Sequence, residues 1–234
     1  MRPLVQVPRR VWLLMGASLA AQLWWCAPPA ATPQHRPPPQ LAPPAPPGIL
    51  VAASFGEPVA LARLLMLYVQ SADGAAPLAQ LDYTRLVAWL DAIVALDARG
   101  QYPLLAATQV YAAVQDEARV RQMLDFTYRQ CAHDPGHRWP HLAHAALLAR
   151  HRLHDLPLAR RYARAIRMSA GTASLPPWTL QMEALILADM QELEAAQALI
   201  GAMLASGQVQ DPNEVRLLER RLEELAAQAA PSMR

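Results

Sequence analysis

Aromatic and acidic residues recur along this chain at a nearly fixed interval. Tyr102, Trp139 and Trp178 stand 37 and 39 residues apart, while Asp116, Asp155 and Glu192 stand 39 and 37 apart. The aromatics open three segments of helical spacing, and the acids fall at the turn inside each segment. A unit of this length is one helix–turn–helix hairpin. A hairpin whose helices each have one apolar face cannot bury those faces alone, so neighbouring units must stack. The period therefore predicts an all-α chain of stacked helical hairpins, an α-solenoid.

Composition agrees with helices. The chain is 53% hydrophobic, and that fraction is mostly Ala and Leu, which lead the helix scale, with few of the β-branched residues that mark strands. From Glu57 onward the spacing predicts nine helices, over residues 57–71, 82–97, 102–114, 116–132, 139–153, 156–170, 177–190, 192–206 and 213–229. Asp82 is placed to cap the second helix. Asp155 precedes the sixth, with Pro157 in its first turn. Asp211, Pro212 and Glu214 combine a capping acid, a proline at the first helical position and a glutamate two residues further. Asp134-Pro135-Gly136 reads as a break between the fourth and fifth helices. Val120, Met123, Leu124, Thr127 and Cys131 form one stripe, with Arg121, Asp125 and Arg129 opposite. Ala159, Tyr162, Ala163 and Ile166 form a second stripe, and Ala196, Leu199, Ile200 and Met203 a third.

In the central unit Trp139, Leu142, Ala143, Asp155 and Ala159, in the next Trp178, Ala196 and Ile200, and in the first Tyr102, Val120 and Pro135 resemble the tetratricopeptide repeat (TPR) family. The resemblance covers residues 102–206. The interval is longer than that family's 34-residue unit, and its glycine is missing. Helix 213–229 has the polar character of a capping helix. The resemblance implies a groove that holds a protein or peptide partner, with His137, His144, Leu147 and Leu148 facing it. Arg119, His137, His144, Leu147 and Arg161 are the candidate partner-binding residues.

The N-terminal region has a different design. Arg2, Arg9 and Arg10 precede an uncharged stretch, and its apolar part runs from Val11 to Ala27. The pattern predicts a transmembrane signal-anchor over residues 1–27. Bulky Trp24 and Trp25 fit a signal-peptidase site poorly, and a Trp directly before Cys26 fits a lipoprotein signal poorly. The excess of arginine before the segment puts the N-terminus in the cytoplasm, so the remainder is expected outside the inner membrane, in the periplasm of a two-membrane cell. Residues 28–48, PPAATPQHRPPPQLAPPAPPG, predict an extended polyproline linker. The helical domain is expected over 49–234.

Function is written more faintly. Net charge is only +2, and the aromatic interleaving of a nucleic-acid surface is missing, so no nucleic-acid partner is expected. The basic residues are all arginine. Arg160, Arg161, Arg164 and Arg167 form the polar face of one helix, suited to an acidic partner. His133, His137, His141, His144, His151 and His154 crowd into 22 residues. His141, His144 and His151 are expected to point away from the stripe of Trp139, Leu142, Ala146, Ala149 and Leu153. No third ligand or supporting shell accompanies them, so no metal is assigned. The chain has no GxSxG, HExxH, CxxC or phosphate-binding glycine loop. Cys131 lies on a buried stripe, which argues against a reactive thiol. No catalytic residue and no cofactor is assigned. The expected function is a membrane-anchored helical-repeat scaffold that binds a protein or peptide partner in cell-envelope complex assembly. The alternatives are a structural subunit of a larger membrane complex or an enzyme with an unfamiliar helical site.

Overall fold

The computed structural model describes residues 9–26, 41–75, 77–169, 175–207, 209 and 211–229. The chain divides into two compact units, Met1–Pro37 and Pro38–Arg234. No strand occurs among the described residues.

In the first unit the described residues form one helix, α1 (Arg9–Cys26). It coincides with the expected anchor. Among the described residues, however, no single helix is long and apolar enough to cross a membrane. Two arginines open α1 and Gln22 interrupts it, so the uninterrupted apolar run is short for a bilayer. Residues 27–40, most of the expected linker, lie outside the described residues.

The second unit contains α2 (Pro47–Ala53), α3 (Pro58–Ala75), α4 (Tyr83–Leu96), α5 (Tyr102–Leu105), α6 (Glu117–His133), α7 (Pro135–His151), α8 (Leu156–Met168), α9 (Pro177–Asp189), α10 (Leu193–Ala205) and α11 (Pro212–Ala229). The expected helices are present, with four differences. The end of the proline-rich stretch belongs to the folded unit. Leu41 is buried, Arg85 donates to Leu41 O at 2.8 Å, and Trp89 Nε1 donates to Ala42 O at 2.7 Å. Prolines lack N–H groups, but an extended segment still offers carbonyls to donors on α4. Helix α2 was not expected, because the glycine and prolines around it mask its start. Helix α7 begins at Pro135, not at 139. Asp134 accepts from His137 N, so Asp-Pro-Gly is a cap and a first-position proline rather than a loop.

The fourth difference is the segment 102–113. It starts as α5, widens to a π-turn over Ala106–Val110 and tightens to a 3-10 turn over Tyr111–Ala113. Thr108 Oγ1 lies 3.0 Å from Leu104 O and 3.3 Å from Leu105 O, so one hydroxyl donates back into the preceding turn. The carbonyls of Ala112, Ala113 and Val114, orphaned where the helix ends, all accept from the Arg152 guanidinium.

Alternate helices run parallel and in register. Arg152 ties the end of α7 to the end of segment 102–113, and Arg138 Nη2 ties its start to Ala98 O at 2.6 Å. Trp139 meets Trp178 with ring centroids 5.8 Å apart, near the starts of α7 and α9. Arg150 and Asp189 pair at 2.5 Å at their ends. In the other set, Arg119 lies over the Tyr83 ring, and Gln130 donates to Asp91 at 2.7 Å, linking α6 to α4. Arg121–Asp155 and Tyr128–Tyr162 link α6 to α8, and Arg160–Glu192 links α8 to the start of α10. Neighbouring helices therefore stack, and side-chain contacts join alternate helices start to start and end to end, which sorts them into an odd row (segment 102–113, α7, α9) and an even row (α4, α6, α8, α10).

The expected stripes are buried: Val120, Met123, Leu124, Thr127 and Cys131 on α6, Ala159, Tyr162, Ala163 and Ile166 on α8, and Ala196, Ile200 and Met203 on α10, where Leu199 is half-buried. One core runs from Leu41 to Ile186, and a smaller one joins α9, α10 and α11. Helix α9 serves both. Met182 and Ile186 enter the larger core, while Leu180, Ala184 and Leu187 enter the smaller.

The turns inside two hairpins repeat a conformation. His154 and Gln191, each directly before the acidic residue that starts the next helix, have φ of 50° and 62°. This left-handed region favours glycine, and here it holds ordinary side chains.

Candidate functional site

Large apolar side chains reach solvent unequally in the two rows. Tyr102 and Val110 of segment 102–113, Leu147 of α7, and Trp178 and Leu185 of α9 are all exposed. On the described even-row helices only Met168, the last residue of α8, is exposed among large apolar residues. Scattered exposed apolar residues are ordinary. The imbalance between the rows is not, because the same helix–turn–helix unit supplies both; outside the rows, α3 exposes Leu64, Leu67 and Tyr68, and α11 exposes Leu217.

On α7 the exposed face carries His137, Pro140, Leu147 and His151, with His144 half-buried among them. The residues are spaced by three, four or seven, so they lie one above another. His137 Nδ1 is 3.0 Å from Asp134 Oδ1, and this hydrogen bond holds the Asp134 carboxyl below its usual range. Grooves flank the row. One of about 560 Å³ lies between α3 and the start of α5, lined by Arg63, Met66, Leu67, Gln70, Gln101 and Tyr102. Another of about 580 Å³ lies between α9 and α11, lined by Gln181, Leu185, Leu217, Arg221, Glu224 and Leu225.

Of the five candidate residues, the structure brings three together. His137, His144 and Leu147 share the outer face of α7. Arg119 and Arg161 belong to the even row. Arg119 pairs with Asp116 at 3.3 Å, donates to Ala79 O and lies 5.4 Å from the Tyr83 ring centroid. These contacts spend its donors on bracing α6 against α4. Arg161 lies 4.3 Å from the Tyr128 ring centroid, beside Arg160, Arg164 and Met168 in a basic groove of about 540 Å³.

His141 does not join His144 and His151 outside. It is buried, with Nε2 3.2 Å from Gln101 Oε1. Helix α7 packs against α6, α8 and segment 102–113, so its buried arc is wider than one stripe. Alanines at 143, 145, 146 and 149 allow that close approach. Burial pushes the His141 pKa down, and repulsion from His144 and Arg138 adds to this. Among the described residues no three His, Cys, Asp or Glu side chains are placed to hold a metal ion. The buried Cys131 thiol is pushed up to about 11, chiefly by burial.

Two buried charges escaped the sequence reading. Arg138 is 3% exposed and donates to Gln130 O, Gln130 Oε1 and Ala98 O. Glu183 is 4% exposed and accepts from Arg167 Nε at 2.7 Å. Their partners come from other helices, so no local pattern announces them.

No protein-family model, no curated protein and no solved structure matches this chain.

Proposed function

We propose that this protein is a membrane-tethered scaffold of TPR-like repeats, an α-solenoid whose odd row of helices binds a protein or peptide partner. The observation that carries the reading is that, of the two rows, the odd one exposes Tyr102, Val110, Leu147, Trp178 and Leu185, and the even one only Met168. Aromatic and aliphatic anchors beside polar groups are what an interface needs at its centre. His137, His144 and Gln181 supply the polar groups. In this reading α1 holds the chain at the inner membrane, the repeats lie on the outer side, and tethering raises the effective concentration of the partner. The work is assembly of a cell-envelope complex, without catalysis, cofactor or nucleic acid.

The test is a pull-down of the full chain from detergent-solubilised membranes with two charge-reversal variants. His144→Glu with Leu147→Glu alters the odd row, and Arg161→Glu with Arg164→Glu alters the even row. The expected result is at least a tenfold loss of a co-purifying partner in the first variant, about 1.4 kcal/mol, and retention in the second, both with unchanged helicity. Loss only in the second moves the site to the even row, and retention in both removes the row from consideration.

A further inference from the structure

The α2–α3 elbow is the least charged part of the folded unit. Between residues 41 and 62 the only charged side chain is Glu57. Pro47–Ala53 and Pro58–Ser71 meet at 111°, and together they have the length and apolar character of a membrane span, which neither has alone. Phe55 sits in the turn. It is 94% exposed, and its φ of 48° is left-handed, which a bulky side chain rarely adopts. Ile49, Val51 and Val59 on either side are exposed as well, while Leu50 and Ser54 face the protein. The left-handed backbone therefore holds an aromatic ring almost wholly in solvent, as seen among the described residues.

The elbow satisfies part of its own backbone. Ser54 N donates to Leu50 O and Val51 O, Phe55 N to Ala52 O, and Glu57 N to Ser54 O. Ser54 Oγ donates to Val51 O at 2.7 Å. Backbone groups paired in this way cost less to carry toward lipid than unpaired ones. A protein-docking patch normally carries a polar rim that sets register. Here the exposed charges are few: Glu57, beside the turn, and Arg63, further along α3.

We propose that the α2–α3 elbow is a lipid-contacting wedge that lies in the interfacial layer of a bilayer with Phe55 leading. The proposal rests on the membrane tether put forward above. Residues 27–46 connect α1 to the elbow, and at about 3 Å per residue such a stretch has a reach of at most roughly 60 Å, so a tethered chain stays within range of the bilayer. Interfacial elements bind through buried apolar side chains with polar residues at their margin, and this elbow has that composition.

The experiment uses the full chain with Cys26→Ala and Cys131→Ala, reconstituted into vesicles of phosphatidylcholine and phosphatidylglycerol. An environment-sensitive fluorophore is attached through Phe55→Cys, or through Ala202→Cys on the exposed side of α10 as the control. Labels through Val51→Cys and Val59→Cys report the same depth where loss of the ring itself weakens insertion. The expected result is a blue-shifted emission at 51, 55 and 59, quenched by brominated acyl chains at least about twofold more than at 202. Vesicle-bound protein whose elbow labels are quenched by aqueous iodide as readily as the control overturns the wedge and leaves the α1 tether standing. Protein that fails to co-float with vesicles overturns both. Elbow labels that leave water only when a second protein is added show a protein-docking site instead.

Discussion

The hairpin α7–α8 and the terminal layer α9–α11 are built from similar apolar stripes, yet they are held differently. Asp134 and Asp155 each cap a helix by accepting backbone N–H groups. Arg138 and Arg152 from the same hairpin reach carbonyls of the preceding repeat. In the last layer Pro176 and Glu192 stand at the starts of α9 and α10 without a side-chain cap. Gln197 Nε2 and Arg221 Nε have no hydrogen-bond partner among the described residues, and the 580 Å³ groove opens beside the smaller core. In stacked repeats each layer leans only on its neighbours, so a terminal layer lacks one set of contacts. The central layers are cross-linked by arginines that reach backbone carbonyls. The terminal layer is joined to α7 and α8 by the ion pairs Arg150–Asp189, Arg160–Glu192 and Arg167–Glu183, and α9, α10 and α11 meet one another chiefly through apolar contact.

Substitution should break this contrast in a defined order. Phe126→Ala empties a fully buried site in the larger core and should cost about 4 kcal/mol, whereas Ile200→Ala, beside the open groove, should cost about 2 kcal/mol. Chemical denaturation of the two variants measures the gap. Arg138→Met leaves carbonyls of two neighbouring repeats without their donor and should cost roughly 3 kcal/mol. A thermal scan that shows no change would mean the guanidinium braces nothing. Asp155→Ala should cost about 1–2 kcal/mol through the lost cap, while Glu192→Ala at the equivalent turn, without a cap to lose, should cost about 0.5 kcal/mol. The smallest effect is a gain. Gln191→Gly relieves a left-handed backbone and should stabilise by about 0.5–1 kcal/mol.

Acid should strike the central hairpin in two steps. The His141 pKa is lowered in the fold, so its contribution is complete above the ordinary histidine value near 6.5 and is lost as pH falls below it. Asp134 and Asp155 are also lowered, by hydrogen bonds from His137 and Arg121 respectively. Their contribution is present above the ordinary carboxylate value near 4 and is lost as pH falls further. His141→Gln should flatten the stability profile between about pH 7 and 5 and leave the lower step in place.

Much of this arrangement is written locally. Period, stripes and caps gave the helices from α3 to α11 because each depends on residues a few positions apart. The Asp-Pro-Gly start of α7 misled because one tripeptide serves both as a loop and as a cap. His141 misled for another reason: helical spacing shows one stripe, but a helix packed on several sides buries a wider arc. Arg119, Arg138 and Arg152 bond to carbonyls 40 residues away, and nothing in their own surroundings foretells that. For the candidate site, the α7 residues His137, His144 and Leu147 were legible together, whereas the division into two rows became visible only once the hairpins were stacked.

Native-state hydrogen exchange of the full chain, read peptide by peptide in increasing denaturant, tests the layered stacking most directly. The expected result is that α10 and α11 open together at least about 2 kcal/mol below α6, α7 and α8. Exchange of all these helices at one common free energy would contradict it, because a single cooperative core, rather than stacked layers of unequal support, would then hold the unit together.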